Sequence, residues 1–304
     1  MKTLGRVLTA MITPFNADGS IDFEGAVTLA KHLLNNGSDG LIVCGTTGES
    51  PTIDNEDKLK LFELIARECG HLGSIVANTG SNNTQRSVSF TEAASKTGVH
   101  AVMGVVPYYN KPNQRGLFEH FKAMANATDL PVIVYNVPGR TGGKITPATI
   151  AKLREACPNI AAVKEASGDI NVAAEIYHLL PEDFMIYSGD DGLTLPMLAV
   201  GGCGVISVAS HVVGNEMQAM IQAYEAGDVV KAKTINKELF PIFKAMFVTT
   251  NPIPVKYAVR QLGLPAGPFH LPMCEPSDEE IAVINEAIKP YIKSVSYTHL
   301  TLPT

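Results

Sequence analysis

The sequence predicts an α/β fold, a (β/α)8 TIM barrel carrying a small C-terminal helical domain. Three observations lead there. Eight short apolar runs recur over the first two-thirds of the chain, segments of helical period separate them, and past about residue 213 the runs cease while helical patterning continues. The runs are near-continuously apolar rather than alternating, as in strands covered on both faces. Strand–helix alternation repeated eight times matches a closed parallel barrel. A doubly wound open sheet would more often carry a glycine-rich dinucleotide turn after its first strand, and here Thr13-Pro14-Phe15 follows instead.

In order, the runs are Val7 to Ile12, Leu41 to Cys44, Ile75 to Asn78, Ala101 to Val106, Val132 to Tyr135, Ile160 to Val163, Met185 to Tyr187 and Val205 to Val208. Between the second and third, Lys58 to Glu68 places Leu59, Phe62, Ile65 and Ala66 at helical spacing. Beyond the barrel, helical segments span roughly Glu216 to Phe247, Val255 to Leu262 and Asp278 to Ile292, with Asp228 expected to cap a new helix after Gly227. The chain thus divides into a catalytic barrel (1–224), a helical domain (225–293) and a terminal stretch (294–304). That stretch, SVSYTHLTLPT, departs in style from everything before it, as vector or adapter read-through does; an ordinary disordered tail is the alternative.

With 304 residues, 45% hydrophobic and 18% charged, the chain has the composition of a soluble globular protein with a large core. A net charge of -6 without a block of like charges points to neither nucleic acid nor an anionic membrane as partner. Met1 to Arg6 holds no apolar segment of signal-peptide length, and no stretch is long enough to span a bilayer. Cys44, Cys69, Cys157, Cys203 and Cys274 are odd in number and lack metal-ligand spacing, which fits free thiols in a reducing cytoplasm.

The chemistry of a barrel sits at the C-terminal ends of its strands. Lys164 closes the run Ile160 to Val163 and precedes Glu165. Apolar walls disfavour the ammonium form, and a neutral amine attacks ketones to form Schiff bases; the alternative is a strand-end lysine with a buried stem and a solvated head. The second run leads into Gly45-Thr46-Thr47-Gly48-Glu49-Ser50, where glycines let the backbone turn around an anion and hydroxyls and N–H groups can donate to a carboxylate, or where glycine serves a tight turn alone. Gly80-Ser81-Asn82-Asn83-Thr84 reads as a loop and helix start. Tyr108 and Tyr109 lie in a proline-bounded loop; core packing accounts for one, and the other needs a partner for its hydroxyl. Tyr135 ends an apolar run, which points its phenol into the mouth, and Arg140 follows in a Gly/Pro loop with no local acid. An arginine there suits a bidentate grip on a carboxylate, or is a surface residue. In Ser188-Gly189-Asp190-Asp191 the acidic pair reads as a helix N-cap rather than a metal site. Lysine, tyrosines, threonines and arginine at one mouth suit carbonyl chemistry on an anionic substrate without a metal.

These residues resemble the dihydrodipicolinate synthase (4-hydroxy-tetrahydrodipicolinate synthase) family, in the class I aldolase and N-acetylneuraminate lyase superfamily. The likeness covers about residues 5 to 293 and is carried by Thr13-Pro14, GTTGES at 45–50, PYYNKP at 107–112, YNVPGRT at 135–141, VKEASGD at 163–169, SGDD at 188–191, GVISV at 204–208 and NPIPVK at 251–256. It implies a Schiff base between Lys164 and pyruvate, with Tyr135 as general acid/base and Thr46 and Tyr109 completing a proton relay, Tyr109 reaching in from a neighbouring subunit. It implies that Thr47 and Ile206 contact pyruvate, Gly189 lines the pocket and Arg140 binds the carboxylate of the second substrate, L-aspartate-4-semialdehyde. It further implies a homo-oligomer, usually a dimer of dimers, with neither metal nor cofactor. Ser50, Asn82 and Tyr108 match an effector site for L-lysine, but Asn55 and Lys58 stand where histidines are common and Arg86 where a glutamate would bind the effector's amine. A cation facing an ammonium is repulsive, which implies weak or absent inhibition. The rivals are a Schiff-base lyase for N-acetylneuraminate or a keto-deoxy sugar acid, disfavoured by Gly139-Arg140-Thr141, which suits a short carboxylated aldehyde over a polyol, and a catalytically silent binding barrel. A metal-dependent class II aldolase would need histidine ligands that the sequence lacks.

Overall fold

The computed structural model describes residues 4–292. All eight runs become strands: β1 (Val7–Ala10), β2 (Gly40–Val43), β3 (Ser74–Asn78), β4 (Ala101–Val105), β5 (Val132–Asn136), β6 (Ile160–Glu165), β7 (Met185–Ser188) and β8 (Gly204–Ser207). Each pairs in parallel with its successor, and β8 returns to β1 with Leu8 opposite Ile206, so the sheet closes into a barrel. The helices are α1 (Phe23–Asn35), α2 (Asn55–Cys69), α3 (Thr84–Ala94), α4 (Gln114–Asn126), α5 (Pro138–Thr141), α6 (Pro147–Ala156), α7 (Ile170–Leu179), α8 (Thr194–Ala199), α9 (Ser210–Glu225), α10 (Val229–Ala245), α11 (Ile253–Gln261) and α12 (Asp278–Ile288).

Both strand faces are buried, which is why the runs do not alternate in polarity. One residue of each adjacent pair points into the barrel: Leu8, Ile42, Val76, Met103, Ile133, Ala162, Tyr187 and Ile206 form an inner cluster. The intervening residues, such as Val102, Val134 and Val163, meet the helical shell. β6 breaks this period once. Val132 pairs with Ile160, but the next residue, Ile133, pairs with Ala162, so Ala161 is bulged out of register. A one-residue slip moves every following side chain to the other face. Ile160 packs outward, whereas Ala162, two residues on, packs inward. The bulge therefore turns Lys164 inward and brings it level with Tyr135, its cross-strand partner. Glu165 faces outward, where Oε2 accepts from Asn136 Nδ2 at 2.8 Å and Oε1 from the Ser167 N–H at 2.6 Å.

In the C-terminal third, α9 starts at Ser210, earlier than the helical pattern suggested, and continues across non-helical Val213. Asp228 caps α10 as expected, accepting from the Lys231 N–H at 3.0 Å. α12 ends at Ile288, short of Ile292, because Pro290 cannot donate to the helical ladder. Ala232, Leu239, Ile242 and Phe243 of α10 belong to the same apolar cluster as Val7 and Met11 of the barrel, so the C-terminal helices share its core. All five cysteines are free, three of them buried and Cys274 exposed. The terminal stretch 294–304 lies outside the described residues.

A second tie is ionic. Lys256 on α11 and Glu49, each with a side chain 1% exposed, pair at 2.6 Å. The ammonium also lies 4.1 Å from the centre of the Phe15 ring, and Glu49 Oε2 accepts the His270 N–H at 2.9 Å. Breaking a buried pair by removing one partner leaves an uncompensated charge, at a cost of about 3–5 kcal/mol. Lys256→Met should therefore lower unfolding free energy by about that amount in urea titration, and Lys256→Met/Glu49→Gln should recover part of it. A loss below about 1 kcal/mol, the range of exposed pairs, would show that water reaches this one.

Candidate active site

The bulge in β6 sets the centre of the site. Lys164 is 6% exposed, and its Nζ lies 4.5 Å from the centroid of the Tyr135 ring. Burial lowers the lysine pKa to about 8; the Asp191 charge acts against that shift and Arg140 adds to it. An amine with that pKa is about one-tenth neutral at pH 7, far more than an exposed lysine. Burial likewise pushes the Tyr135 phenol up, with Arg140 and the Thr46 side chain pulling it down. Lys164, Tyr135, Thr46 and Arg140 thus act on one another at the C-terminal end of the barrel, from β6, β5 and the loops after β2 and β5.

The loop after β2 is built differently from the expectation. Its left-handed residues are Cys44 (φ 53) and Glu49 (φ 54), not its glycines. Gly48 is needed for close approach instead: a Cβ there would sit 3.0 Å from Thr13 Oγ1 and 3.1 Å from Met11 O. Its conformation is held by N–H bonds from Gly48 and Ser50 to Gly45 O and from Glu49 to Thr46 O. Among the described residues, the N–H groups of Thr46 and Thr47 have no such acceptor. They and the buried Thr47 hydroxyl remain as donors for an anion. Thr47 Oγ1 accepts from Asn251 Nδ2 at 3.0 Å, while Arg140 Nη2 donates to the Asn251 carbonyl at 3.1 Å.

Other expected residues take varied places. Ile206 lies in the inner barrel cluster with Tyr135. Gly189 is required for packing rather than for an open wall: a Cβ would meet Ala166 Cβ at 2.5 Å, and its N–H is spent on Glu165 O at 2.7 Å. Neither tyrosine of the 108–109 pair packs in the core, contrary to the reading of one of them. Tyr108 is 41% exposed and Tyr109, at φ 73, is 90% exposed. A single chain therefore does not deliver Tyr109 to the Tyr135–Thr46 pair. Beside the mouth, a cavity of about 530 Å³ is lined by Thr46 and Arg140 and also by Ser50, Lys58, Arg86 and Tyr108. Asn55 lines it too, whereas Asn82 does not; the Asn82 carbonyl accepts from Asn110 Nδ2 at 2.8 Å. Burial lowers the Lys58 pKa, opposed by Cys44 and Asp54.

The acidic pair divides. Asp190 caps a short turn of 3-10 helix, accepting from the Gly192 N–H at 2.9 Å, as the N-cap reading expects. Asp191 does not cap: it is 1% exposed, with Oδ2 accepting from the Ala209 and Val208 N–H groups at 2.9 and 3.2 Å. Among the described residues, no three His, Cys, Asp or Glu side chains gather as a metal cluster would, and no helix is long and apolar enough to cross a membrane. Asn251 and the Glu49–Lys256 pair received no role from sequence reasoning, and Asp191 received only that of an N-cap. Their partners lie 17 to 207 residues away, a pairing that only co-variation among relatives could signal.

Known proteins share this architecture and sequence. The family model described as the dihydrodipicolinate synthetase family matches residues 3–290. A 4-hydroxy-tetrahydrodipicolinate synthase from Moorella thermoacetica is 53% identical over 285 residues, covering 94% of this chain and 97% of that protein. The dihydrodipicolinate synthase of Cyanidioschyzon merolae, solved with lysine bound, superposes with a TM-score of 0.92 at 45% identity over 94% of this chain and 97% of its own. A dihydrodipicolinate synthase of Bacillus anthracis gives a TM-score of 0.93 at 42% identity, with both chains covered in full. With a closed eight-stranded barrel, a buried lysine against a tyrosine and this degree of likeness, the chain belongs to the dihydrodipicolinate synthetase family.

Proposed function

We propose that the chain condenses pyruvate with L-aspartate-4-semialdehyde, giving 4-hydroxy-tetrahydrodipicolinate and water through an imine on Lys164. The observation that carries this reading is the buried Lys164 amine, its pKa near 8, set 4.5 Å from the Tyr135 ring. The neutral amine adds to the pyruvate ketone, and loss of water gives the imine. The iminium draws electrons from the methyl carbon, so a proton leaves with help from the phenol and an enamine forms. The enamine carbon bonds to the aldehyde carbon of the second substrate, whose oxygen takes a proton. That substrate's own amine then attacks the imine carbon, and the C–N bond to Lys164 breaks as the ring closes, returning the lysine. Thr46 and Thr47 supply donors for the pyruvate carboxylate, and Arg140 presents its free N–H groups to the carboxylate of the semialdehyde.

In this reading the Tyr109 hydroxyl that completes the relay with Thr46 and Tyr135 comes from a second copy of the chain, in a homodimer or a dimer of dimers. The 90% exposure of Tyr109 within one chain supports it. Lys58 and Arg86 on the neighbouring cavity oppose an ammonium group there, so L-lysine is a weak effector at most.

A coupled assay with pyruvate and L-aspartate-4-semialdehyde, run beside N-acetylneuraminate cleavage, should show turnover with the former pair alone; the reverse would replace the reading with that of a sialic acid lyase. Borohydride in the presence of pyruvate should add mass at Lys164 and not to Lys164→Ala. Tyr135→Phe should fold normally and lose at least about 10²-fold in rate, and a near-normal rate would remove Tyr135 from proton transfer. Trapping should rise with pH through a midpoint near 8, since only the unprotonated amine attacks. Arg140→Ala removes a cation that holds this pKa down, so the midpoint should move upward; an unmoved midpoint would show that the guanidinium does not reach the amine. Half-inhibition of turnover by sub-millimolar L-lysine would defeat the assignment of a weak effector.

A further inference from the structure

Asn251 is 5% exposed and lies just before α11. Through two different atoms it touches both groups assigned to substrate carboxylates. Its side-chain amide donates to Thr47 Oγ1, and its backbone carbonyl accepts from Arg140 Nη2. Its own Oδ1 is buried without a partner, so the amide group is held at this position by the Thr47 bond.

The polarity of that bond matters. An amide N–H can only donate, so the Thr47 hydroxyl is the acceptor. A hydroxyl carries one proton, and among the described residues that of Thr47 goes to no other group. The proton is therefore free to point at an anion. Had the hydroxyl been spent as a donor on a protein oxygen, it would turn a lone pair toward the substrate carboxylate and repel it.

We infer that Asn251 is a positioning residue for the keto acid, fixing the Thr47 hydroxyl as a donor while its backbone carbonyl separately steadies the Arg140 fork. This rests on the reading of Thr47 as a pyruvate contact. The division of labour makes it testable, since a side-chain substitution removes the tie to Thr47 and leaves the carbonyl for Arg140.

The experiment measures two quantities, the pyruvate concentration that half-saturates borohydride trapping at Lys164 and the KM for L-aspartate-4-semialdehyde. Asn251→Leu, close in size and uncharged, should raise the first about three- to tenfold, the worth of one net hydrogen bond, and leave the second within about twofold. In a Thr47→Val background the same substitution should change the first by less than about twofold, because residues acting through one another are not additive. If the leucine variant does not fold, as read by its thermal unfolding midpoint, Asn251→Ala is taken through the same cycle. Equal effects of the Asn251 substitution in both backgrounds, or a parallel rise in both quantities, would overturn the inference while leaving Thr47 its role. Unchanged half-saturation in Thr47→Val alone would overturn the role of Thr47 and the inference with it.

Discussion

The site depends on a lysine amine kept away from water yet turned toward the barrel axis. Two facts of β6 achieve this together. The strand is buried on both faces, which disfavours the ammonium ion, and the bulge at Ala161 reverses the facing of every residue after it. Without that bulge Val163 would point inward and Lys164 into the helical shell, among side chains that offer its amine nothing. Its outward neighbour would then be the residue at the mouth, and that neighbour is the acid Glu165 one position further on. The remaining elements of the site are arranged about the amine: Tyr135 across the strand pair, Arg140 raising the local positive potential, Asp191 opposing it.

The electrostatics are set by burial more than by pairing. Desolvation is the leading cause of the shifts of both Lys164 and Tyr135, and it moves them in opposite directions, the amine down and the phenol up. Burial thereby favours the neutral form of both groups. Charged neighbours adjust these values. Asp191 is fastened to backbone N–H groups of the segment after β8, so its carboxylate is fixed in place relative to the strand ends.

Much of this was legible in the sequence, for identifiable reasons. A strand covered on both faces must be apolar throughout, so all eight strands announced themselves as runs, and the local caps Asp228 and Asp190 could be read because their targets lie two or three residues away. The direction of Lys164 was not legible, since a continuous run hides the period that a bulge interrupts. Nor was the strain of the loop after β2, which falls on Cys44 and Glu49 although two glycines stand beside them. One of Tyr108 and Tyr109 was expected to pack, as aromatic residues usually do; the loop presents both outward. Contacts such as Asn251 to Thr47 join residues 204 apart, and no local pattern in a single sequence contains them.

Synthesis order gives the Glu49–Lys256 pair a further meaning. A ribosome that has released all eight strands has still not released Lys256, so the carboxylate of Glu49 waits beside the mouth with no counter-ion. Desolvating it without a partner is unfavourable. Arrival of α11 supplies the ammonium, and with it Asn251 reaches Thr47 and Arg140. The last third of the polypeptide thus completes the first: α11 brings the ammonium that pairs with Glu49, and Asn251 brings the contacts to Thr47 and Arg140.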